Sequence, residues 1–200
     1  KFSFKDCAMI SKNRATKETK IELELELYGR GAAQIQTGIG FFDHMLSAFA
    51  KHAWIDLNLR CEGDLQVDFH HSVEDCGIVL GSAIKEVIYP AQNIERFGDS
   101  VLVMDEAAVS AALDFSNRAF LVFDCPSLKR GKIGEFDAEL VEEFFRALAF
   151  NANLTLHLCQ IRGENLHHVA EAASKAFAVA FRRAISINER AGVPSTKGVL

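Results

Sequence analysis

A short motif whose side chains could bind a metal ion occurs twice in this sequence. His-His-Ser-Val-Glu at residues 70–74 returns as His-His-Val-Ala-Glu at residues 167–171. The chain contains seven histidines, and four of them lie in these two motifs. Imidazole and carboxylate groups together suit a borderline divalent ion such as Mn²⁺, Fe²⁺, Ni²⁺ or Zn²⁺. The repeated motif therefore predicts metal binding.

Helical geometry decides which side chains of each motif can share an ion. At about 100° per residue, His70 and Glu74 lie within roughly 40° of each other on one helix face. His71 points roughly 100° away from His70, so both histidines cannot easily bind the same ion. We expect each helix to offer a His/Glu pair to one ion and its second histidine to another. Two such helices facing each other would then build two metal sites. A shared metal-binding role is a better explanation than chance for two motifs with the same glutamate offset.

The sequence similarity continues upstream of each motif. Residues 43–59 align with residues 142–158, and this alignment pairs His44 with Glu143, which could both coordinate a metal. About four protein ligands for each of two ions would leave open positions on an octahedral metal, as a catalytic site requires. The candidate metal ligands are His44, His70, His71, Glu74, Glu143, His167, His168 and Glu171.

The hydrophobic pattern predicts the strands and helices that carry these residues. Residues 21–27 alternate strictly between apolar side chains and glutamate, which predicts a half-buried strand. Residues 33–36 are predicted to return from it as a hairpin. The further predicted strands are 54–60, 101–104, 108–115, 119–123 and 154–161, and the predicted helices are 41–51, 69–89, 137–150 and 166–187.

These elements predict an α+β fold made of two similar halves. Self-similarity over about a hundred residues indicates a duplicated domain, since solenoid repeats are shorter. We expect a first half over residues 1–95 and a second over 96–200, packed as one compact unit. Each half should be a sheet with helices packed on one side, and the two halves should meet helix face to helix face.

Composition narrows the class of protein. A chain of 200 residues with 49% hydrophobic residues can bury a sizeable core. The net charge of −5 argues against a nucleic-acid partner. Without a long apolar run or a signal-peptide pattern, we expect no membrane partner and a cytoplasmic location. Scattered cysteines in odd number and without a CxxC motif indicate reduced thiols; they are Cys7, Cys61, Cys76, Cys125 and Cys159.

Further motifs follow one another in order along nearly the whole chain. They are residues 16–19 (Thr-Lys-Glu-Thr), 40–46 (Gly-Phe-Phe-Asp-His-Met-Leu), 70–75, 96–98 (Arg-Phe-Gly), 104–107 (Met-Asp-Glu-Ala), 167–172 and 194–200 (Pro-Ser-Thr-Lys-Gly-Val-Leu). Together they resemble the imidazoleglycerol-phosphate dehydratase family. The resemblance implies halves of the ribosomal protein S5 domain 2-like type. It also implies a homo-oligomer of 24 subunits with active sites at subunit interfaces and two Mn²⁺ ions per active site.

The activity that this resemblance implies is that of a hydro-lyase of histidine biosynthesis. It removes water from D-erythro-imidazole-glycerol phosphate, a small phosphorylated imidazole substrate, and gives imidazole-acetol phosphate. The proton lost from carbon is not acidic, so the imidazole ring must accept electrons, and two metal ions on its nitrogens would stabilise that charge. The two-ion prediction and the implied substrate therefore support each other.

The resemblance also implies individual roles. Glu18 is the candidate base for the carbon-bound proton, and partial burial beside the substrate could raise its pKa toward neutrality. Cations and hydroxyls near the phosphate are expected from the 96–98 and 194–200 motifs. The implied catalytic residues are Glu18, His71, Glu74, His168 and Glu171, and the implied substrate-binding residues are Glu18, His44, Arg96, Arg118, Lys175, Ser195, Thr196 and Lys197.

Some positions depart from the family pattern. Phe69 stands where members often have aspartate, which removes a candidate hydrogen-bond acceptor for a ligand histidine. Glu143 occupies a position that is histidine in some members and glutamate in others. His52 and His157 fall outside the motifs, and we expect structural roles for them.

Two other functions could use the same ligands. A metal-storage or metal-sensing protein would need neither a base nor phosphate-binding cations, and a sensor would need a nucleic-acid surface that the acidic charge disfavours. A di-metal hydrolase would be rich in bridging aspartates, which the ligand positions lack.

Overall fold

A computed structural model of the chain describes residues 9–198. Cys7 and the last two residues of the C-terminal motif, Val199 and Leu200, lie outside the described residues. The first half contains β1 (Met9–Ala15), β2 (Thr19–Glu26), β3 (Ala33–Gln36), α1 (Gly40–Ala53), β4 (Asp56–Gly63) and α2 (His70–Ile88). The second contains β5 (Phe97–Met104), β6 (Ala107–Asp114), β7 (Phe120–Asp124), a 3₁₀ turn (Pro126–Lys129), β8 (Lys132–Ile133), β9 (Phe136–Asp137), α3 (Leu140–Asn151), β10 (Thr155–Arg162) and α4 (Leu166–Ala184).

The two halves have the same sheet topology. The first sheet has the order β1-β2-β4-β3 and the second the order β5-β6-β10-β7. One pair of strands in each sheet is parallel: β3 with β4 in the first sheet and β7 with β10 in the second. The other pairs are antiparallel. Trp54 and Asn153, which follow α1 and α3 at equivalent positions, both adopt the left-handed conformation, with φ of 58° and 51°. The α1–β4 unit and the α3–β10 unit are therefore built alike.

Helices cover one face of each sheet, and the two helical layers meet. The apolar residues of β2 point inward, where Ile21, Leu23 and Leu25 are buried, and its glutamates point outward. α1 and α2 pack on the first sheet, α3 and α4 pack on the second, α1 contacts α4, and α2 contacts α3. The prediction of an α+β fold with helix face against helix face is confirmed. None of the helices in the described residues combines the length and apolar character that crossing a membrane requires.

Two glycines let α2 approach α3 closely. Gly77 and Gly81 lie one helical turn apart, and a Cβ atom at Gly77 would come within 2.8 Å of the Phe144 carbonyl oxygen. At Gly81 it would come within 2.5 Å of the Leu148 carbonyl oxygen. Such distances are too short for a side chain, so these positions favour glycine although it weakens a helix. The close contact holds α2, and with it the first motif, against the second half.

One strand pairing differs from the prediction. Residues 33–36 do form a strand, but the expected hairpin with the first long strand is wrong, because β3 pairs in parallel with β4. The Asp56 carboxylate accepts hydrogen bonds from the N–H groups of Arg30 and Ala32, both at 2.8 Å, and so fastens the preceding turn to the start of β4. β1 and the small β8–β9 hairpin are additional elements that the hydrophobic pattern does not predict, since β1 is largely polar and β8 and β9 are short.

Candidate metal centre

A histidine–carboxylate cluster lies where α1 packs against α4. Among residues 9–198, His44 of α1 and His167 and Glu171 of α4 bring one potential ligand atom each within 4.8 Å of one another. The Glu171 Oε2 atom is 3.2 Å from His44 Nε2 and 3.1 Å from His167 Nε2. The pairing of the first histidine with the glutamate one turn later agrees with the helical geometry expected from the sequence. We call these residues the His44–His167–Glu171 cluster.

A side-chain cap and an aromatic contact fix the beginning of α4, which carries two residues of this cluster. The Asn165 side chain caps the helix by accepting hydrogen bonds from the backbone N–H groups of His167 and His168, at 3.0 and 3.3 Å. The Phe41 and His167 rings pack in an edge-type arrangement, with 5.2 Å between the ring centres. An asparagine N-cap satisfies N–H groups that a helix start otherwise leaves free. Both histidines are thus attached to a defined helix end.

The Glu171 carboxylate is held in its ionised form. Burial by itself would raise the pKa of Glu171, but Lys175, His44 and His167 outweigh burial and lower the pKa to about 2. The Lys175 Nζ atom lies 2.6 Å from Glu171 Oε1, which leaves Oε2 on the side of the two histidines. An ionised carboxylate and neutral imidazoles are the forms that bind metal ions.

This low pKa makes a prediction for the metal-free protein. Because the folded-state pKa of about 2 lies below the ordinary 4.5, ionised Glu171 stabilises the fold above about pH 4.5. That contribution is lost as the pH falls toward 2. Thermal unfolding of chelator-treated wild type and Glu171→Gln should give a difference in Tm that is largest at neutral pH and closes between about pH 4.5 and pH 2. A difference independent of pH would contradict this assignment, since glutamine mimics the protonated acid.

The motif of α2 forms a more open pair. His70 Nε2 lies 3.8 Å from Glu74 Oε2, and both side chains are about half exposed. The backbone N–H of His70, the first residue of the helix, donates to Asp68 Oδ1 at 2.8 Å. The expectation that the two motif helices face each other is wrong within one chain. α2 packs mainly against α3 and α4 against α1, so their motifs do not meet there.

The second histidine of the first motif points to a different set of groups. His71 Nδ1 lies 3.0 Å from Asp64 Oδ2, and His71 Nε2 lies 3.9 Å from Glu18 Oε1. The hydrogen bond with Asp64 raises the pKa of His71, and partial burial opposes this rise. Asp64 therefore supplies a carboxylate acceptor for His71, although Phe69 offers none. The sequence offered a clue to Asp64, since it follows a strand and a glycine just before the motif.

The second histidine of the α4 motif has equivalent surroundings. His168 Nδ1 lies 2.7 Å from Glu106 Oε2, and His168 Nε2 lies 3.7 Å from Asp105 Oδ2. The hydrogen bond with His168 is the main cause that lowers the pKa of Glu106 to about 2, and the same bond raises the pKa of His168. Glu106 and Asp105 lie in the β5–β6 turn, within the 104–107 motif, but no role for them was predicted.

Glu143 stands apart from the other candidate ligands. It lies on α3, where its Oε1 atom is 3.8 Å from the Nε atom of Arg146. It is not part of the His44–His167–Glu171 cluster. A single chain thus distributes the eight candidate ligands over the cluster, the His70/Glu74 pair, the two second histidines and Glu143.

The predicted phosphate-binding residues gather in one surface cleft, apart from Lys175, which contacts Glu171. Arg96 donates through Nε and Nη2 to the two carboxylate oxygens of Asp114, at 2.7 and 3.0 Å. Its third contact, from Nη1 to the Pro194 carbonyl oxygen at 2.6 Å, attaches the C-terminal segment to the start of β5. The predicted residues that line the cleft are Arg96, Arg118, Ser195, Thr196 and Lys197.

Comparison with known sequences covers both halves. Residues 37–181 match the family model described as imidazoleglycerol-phosphate dehydratase. The chain is 71% identical, over 96% of its length and 100% of the relative's, to the imidazoleglycerol-phosphate dehydratase of Campylobacter hominis. It is 66% identical to the protein of the same name from Wolinella succinogenes, over 94% of this chain and 97% of the relative.

Solved structures agree with these sequence matches. The crystal structure of imidazoleglycerol-phosphate dehydratase from Staphylococcus aureus is similar with a TM-score of 0.82 and 38% identity, over 90% of this chain and 99% of the other. The enzyme from Pyrococcus furiosus in complex with (S)-C348 is similar with a TM-score of 0.80 and 38% identity, over 94% and 100%. All eight candidate ligands lie within the range that the family model matches.

Proposed function

The chain belongs to the imidazoleglycerol-phosphate dehydratase family, and from this premise we propose which of its residues carry out the reaction. Its activity is that of a hydro-lyase in histidine biosynthesis, which removes water from D-erythro-imidazole-glycerol phosphate and yields imidazole-acetol phosphate. The main observation that supports the assignment of roles to individual residues is the His44–His167–Glu171 cluster. Two imidazole nitrogens and one ionised carboxylate in contact form a donor set that fits a divalent metal ion.

Two Mn²⁺ ions per active site are our proposal for the metal. His44, His167 and Glu171 would hold one ion, and the His70/Glu74 pair would hold the other. His71, His168 and Glu143 would complete the two sites from neighbouring subunits, since within the described residues of one chain their side chains contact other groups and do not join the cluster. When bound, such ions supply Lewis-acid stabilisation of the negative charge that develops on the substrate's imidazole ring.

Glu18 is proposed as the base. It precedes β2 with a half-exposed carboxylate, and the Glu18 Oε1 atom lies 3.9 Å from His71 Nε2. Its backbone is fixed on both sides, because Glu18 N–H donates to Thr16 Oγ1 at 3.1 Å and the Glu18 carbonyl accepts from Asp64 N–H, also at 3.1 Å. From this position the carboxylate takes the carbon-bound proton. The electron pair of the broken carbon–hydrogen bond then forms a carbon–carbon double bond as the carbon–oxygen bond breaks, and the hydroxyl takes up a proton and leaves as water. The enol that remains converts to its keto form, imidazole-acetol phosphate.

The cleft beside Arg96 is proposed to bind the substrate phosphate. The forked contact with Asp114 orients the Arg96 guanidinium, and the Pro194 contact places the C-terminal segment beside it. Arginine offers planar paired donors and lysine a point charge, which together suit a phosphate group. Thr196 and Ser195 would add hydroxyl donors. His44 and Lys175 also remain proposed substrate contacts, and both lie against Glu171.

Replacement of Lys197 by alanine should raise KM with little change in kcat. One charge-assisted hydrogen bond is worth about 1.5–3 kcal/mol, so we expect KM to rise by about tenfold or more. Steady-state kinetics with imidazole-glycerol phosphate would measure it. Lys20→Ala is the control, because Lys20 is exposed and pairs with Glu22 on the outer face of the first sheet. An unchanged KM for Lys197→Ala would exclude the phosphate contact.

A homo-oligomer of 24 subunits with active sites at the interfaces is our proposal for the assembly. The outer face of the second sheet supports it, because its exposed side chains include Phe97, Val101, Val103, Phe120 and Ile161. The outer face of the first sheet is polar and carries the glutamates of β2. Exposed apolar patches of this kind mark association surfaces. Light scattering during size exclusion would measure the assembly size.

The cytoplasm is the proposed location. The four described cysteines are free thiols, and free thiols persist in a reducing compartment.

The decisive experiment is a dehydration assay on chelator-stripped protein with and without added Mn²⁺. Turnover should be lost on stripping and return with the metal. Rebinding of Mn²⁺ without turnover would contradict the proposed mechanism and favour a metal-storage protein that uses the same ligands. Turnover that persists in fully stripped protein would exclude the role given to the metal.

A further inference from the structure

The second histidine of each motif contacts a carboxylate whose role none of the motif patterns explains. Asp64 accepts at His71 Nδ1 and Glu106 accepts at His168 Nδ1, at 3.0 and 2.7 Å. An imidazole that donates its Nδ1–H to a carboxylate keeps Nε2 free as a ligand atom, and such an acceptor fixes both the tautomer and the orientation of the ring. Both rings therefore present Nε2 away from the acceptor.

The two acceptors come from different parts of the two halves. Asp64 lies in the β4–α2 connection, directly after Gly63, whereas the equivalent step in the second half is Gly163-Glu164. His168 uses Glu106 of the β5–β6 turn in its place. The same ring geometry thus arises from non-equivalent elements. Duplication of one half does not explain acceptors at non-equivalent positions. A functional need to hold the ring of each second histidine in the same way does explain them.

The difference has a consequence for Glu18. The β1–β2 turn is the first-half equivalent of the β5–β6 turn, and Glu18 at its end lies on the Nε2 side of His71, 3.9 Å away. Because Asp64 occupies Nδ1 in the first half, the turn carboxylate there is not needed as an acceptor. In the second half, Glu106 is used as the acceptor, and its neighbour Asp105 lies on the Nε2 side.

We propose that Asp64 and Glu106 are positioning residues that hold His71 and His168 with Nε2 directed toward the metal sites, and that Asp64 also leaves Glu18 free. This inference rests on the proposed function only in assuming that these histidines bind metal. Neither carboxylate is given a direct contact with substrate or metal. Their effect is transmitted through the histidine rings.

The test is Mn²⁺ affinity of the chelator-stripped full-length protein, read from the free-ion signal in electron paramagnetic resonance. Asp64→Asn and Glu106→Gln should each weaken Mn²⁺ binding by about 10- to 100-fold. Asp64→Glu and Glu106→Asp keep the acceptor and should recover part of that loss. Glu164→Gln is the matched control, because Glu164 is the sequence equivalent of Asp64 and is exposed; it should bind Mn²⁺ like wild type.

The Tm of the metal-free variants distinguishes positioning of the histidine rings from a general contribution of the carboxylates to fold stability. Positioning predicts that the Tm stays close to that of metal-free wild type while the affinity falls. Wild-type Mn²⁺ affinity in Asp64→Asn and Glu106→Gln would overturn the proposal. So would a fall in affinity in these variants that Asp64→Glu and Glu106→Asp show to the same extent. A wild type that binds Mn²⁺ without dehydrating its substrate would defeat the proposed function alone, because the affinity measurements would still decide this inference.

Discussion

Replacement of Glu18 by glutamine should lower kcat by about 10²- to 10⁴-fold, the range that a positioned general base contributes. Glutamine keeps the shape of the side chain but cannot accept the carbon-bound proton. The hydrogen bonds that hold residue 18 come from its backbone, to Thr16 and Asp64, so they survive the change. Mn²⁺ binding and substrate affinity should therefore stay near wild type while turnover is lost.

Glu22→Gln is the matched control for this experiment. Glu22 lies on β2, and its exposed carboxylate pairs with Lys20 at 3.3 Å. Its loss should leave kcat unchanged. Single-turnover and steady-state assays on both variants, with metal content measured in parallel, would separate the base from a ligand. Wild-type kcat in Glu18→Gln would remove Glu18 as the base, and a loss of bound metal would move it to the ligand set.

Mixing of subunits should reveal whether the metal sites lie between chains. His71→Ala and His167→Ala should each lose turnover and metal, because each removes one proposed ligand. If His71 of one subunit joins the His167 cluster of another, coexpression of the two variants should restore up to about a quarter of the sites by random assembly. Turnover of the separated mixed oligomers, with tags to establish their composition, would measure that recovery.

The matched control pairs His44→Ala with His167→Ala. These two histidines belong to the same cluster in the same chain, where their Nε2 atoms lie 3.2 and 3.1 Å from Glu171 Oε2. No mixture of the two variants can rebuild that cluster, so no recovery is expected. Equal recovery in both pairs, or none with His71→Ala, would contradict the division of ligands between subunits.

Local periodicity explains what could be predicted about the fold. The strand over residues 21–27 and the two motif helices were correct because alternation and helical spacing are properties of neighbouring residues. The edge position of β3 was missed because it depends on the turn that Asp56 holds. The polar strand β1 was missed because an edge strand with weak alternation does not stand out from a loop.

The candidate site divides in the same way. The repeated motif and the His/Glu pairing one turn apart follow from the sequence alone, because ligand types and helical offsets are properties of neighbouring residues. The family follows from the order of the motifs along the chain. That His44 joins His167 and Glu171 required the three-dimensional fold, since the contact depends on α1 packing against α4. The fold also separates the two motif helices within a chain and brings Asp64 and Glu106 to the second histidines. Those contacts join residues from separate turns and helices, and their meeting depends on how the two halves pack.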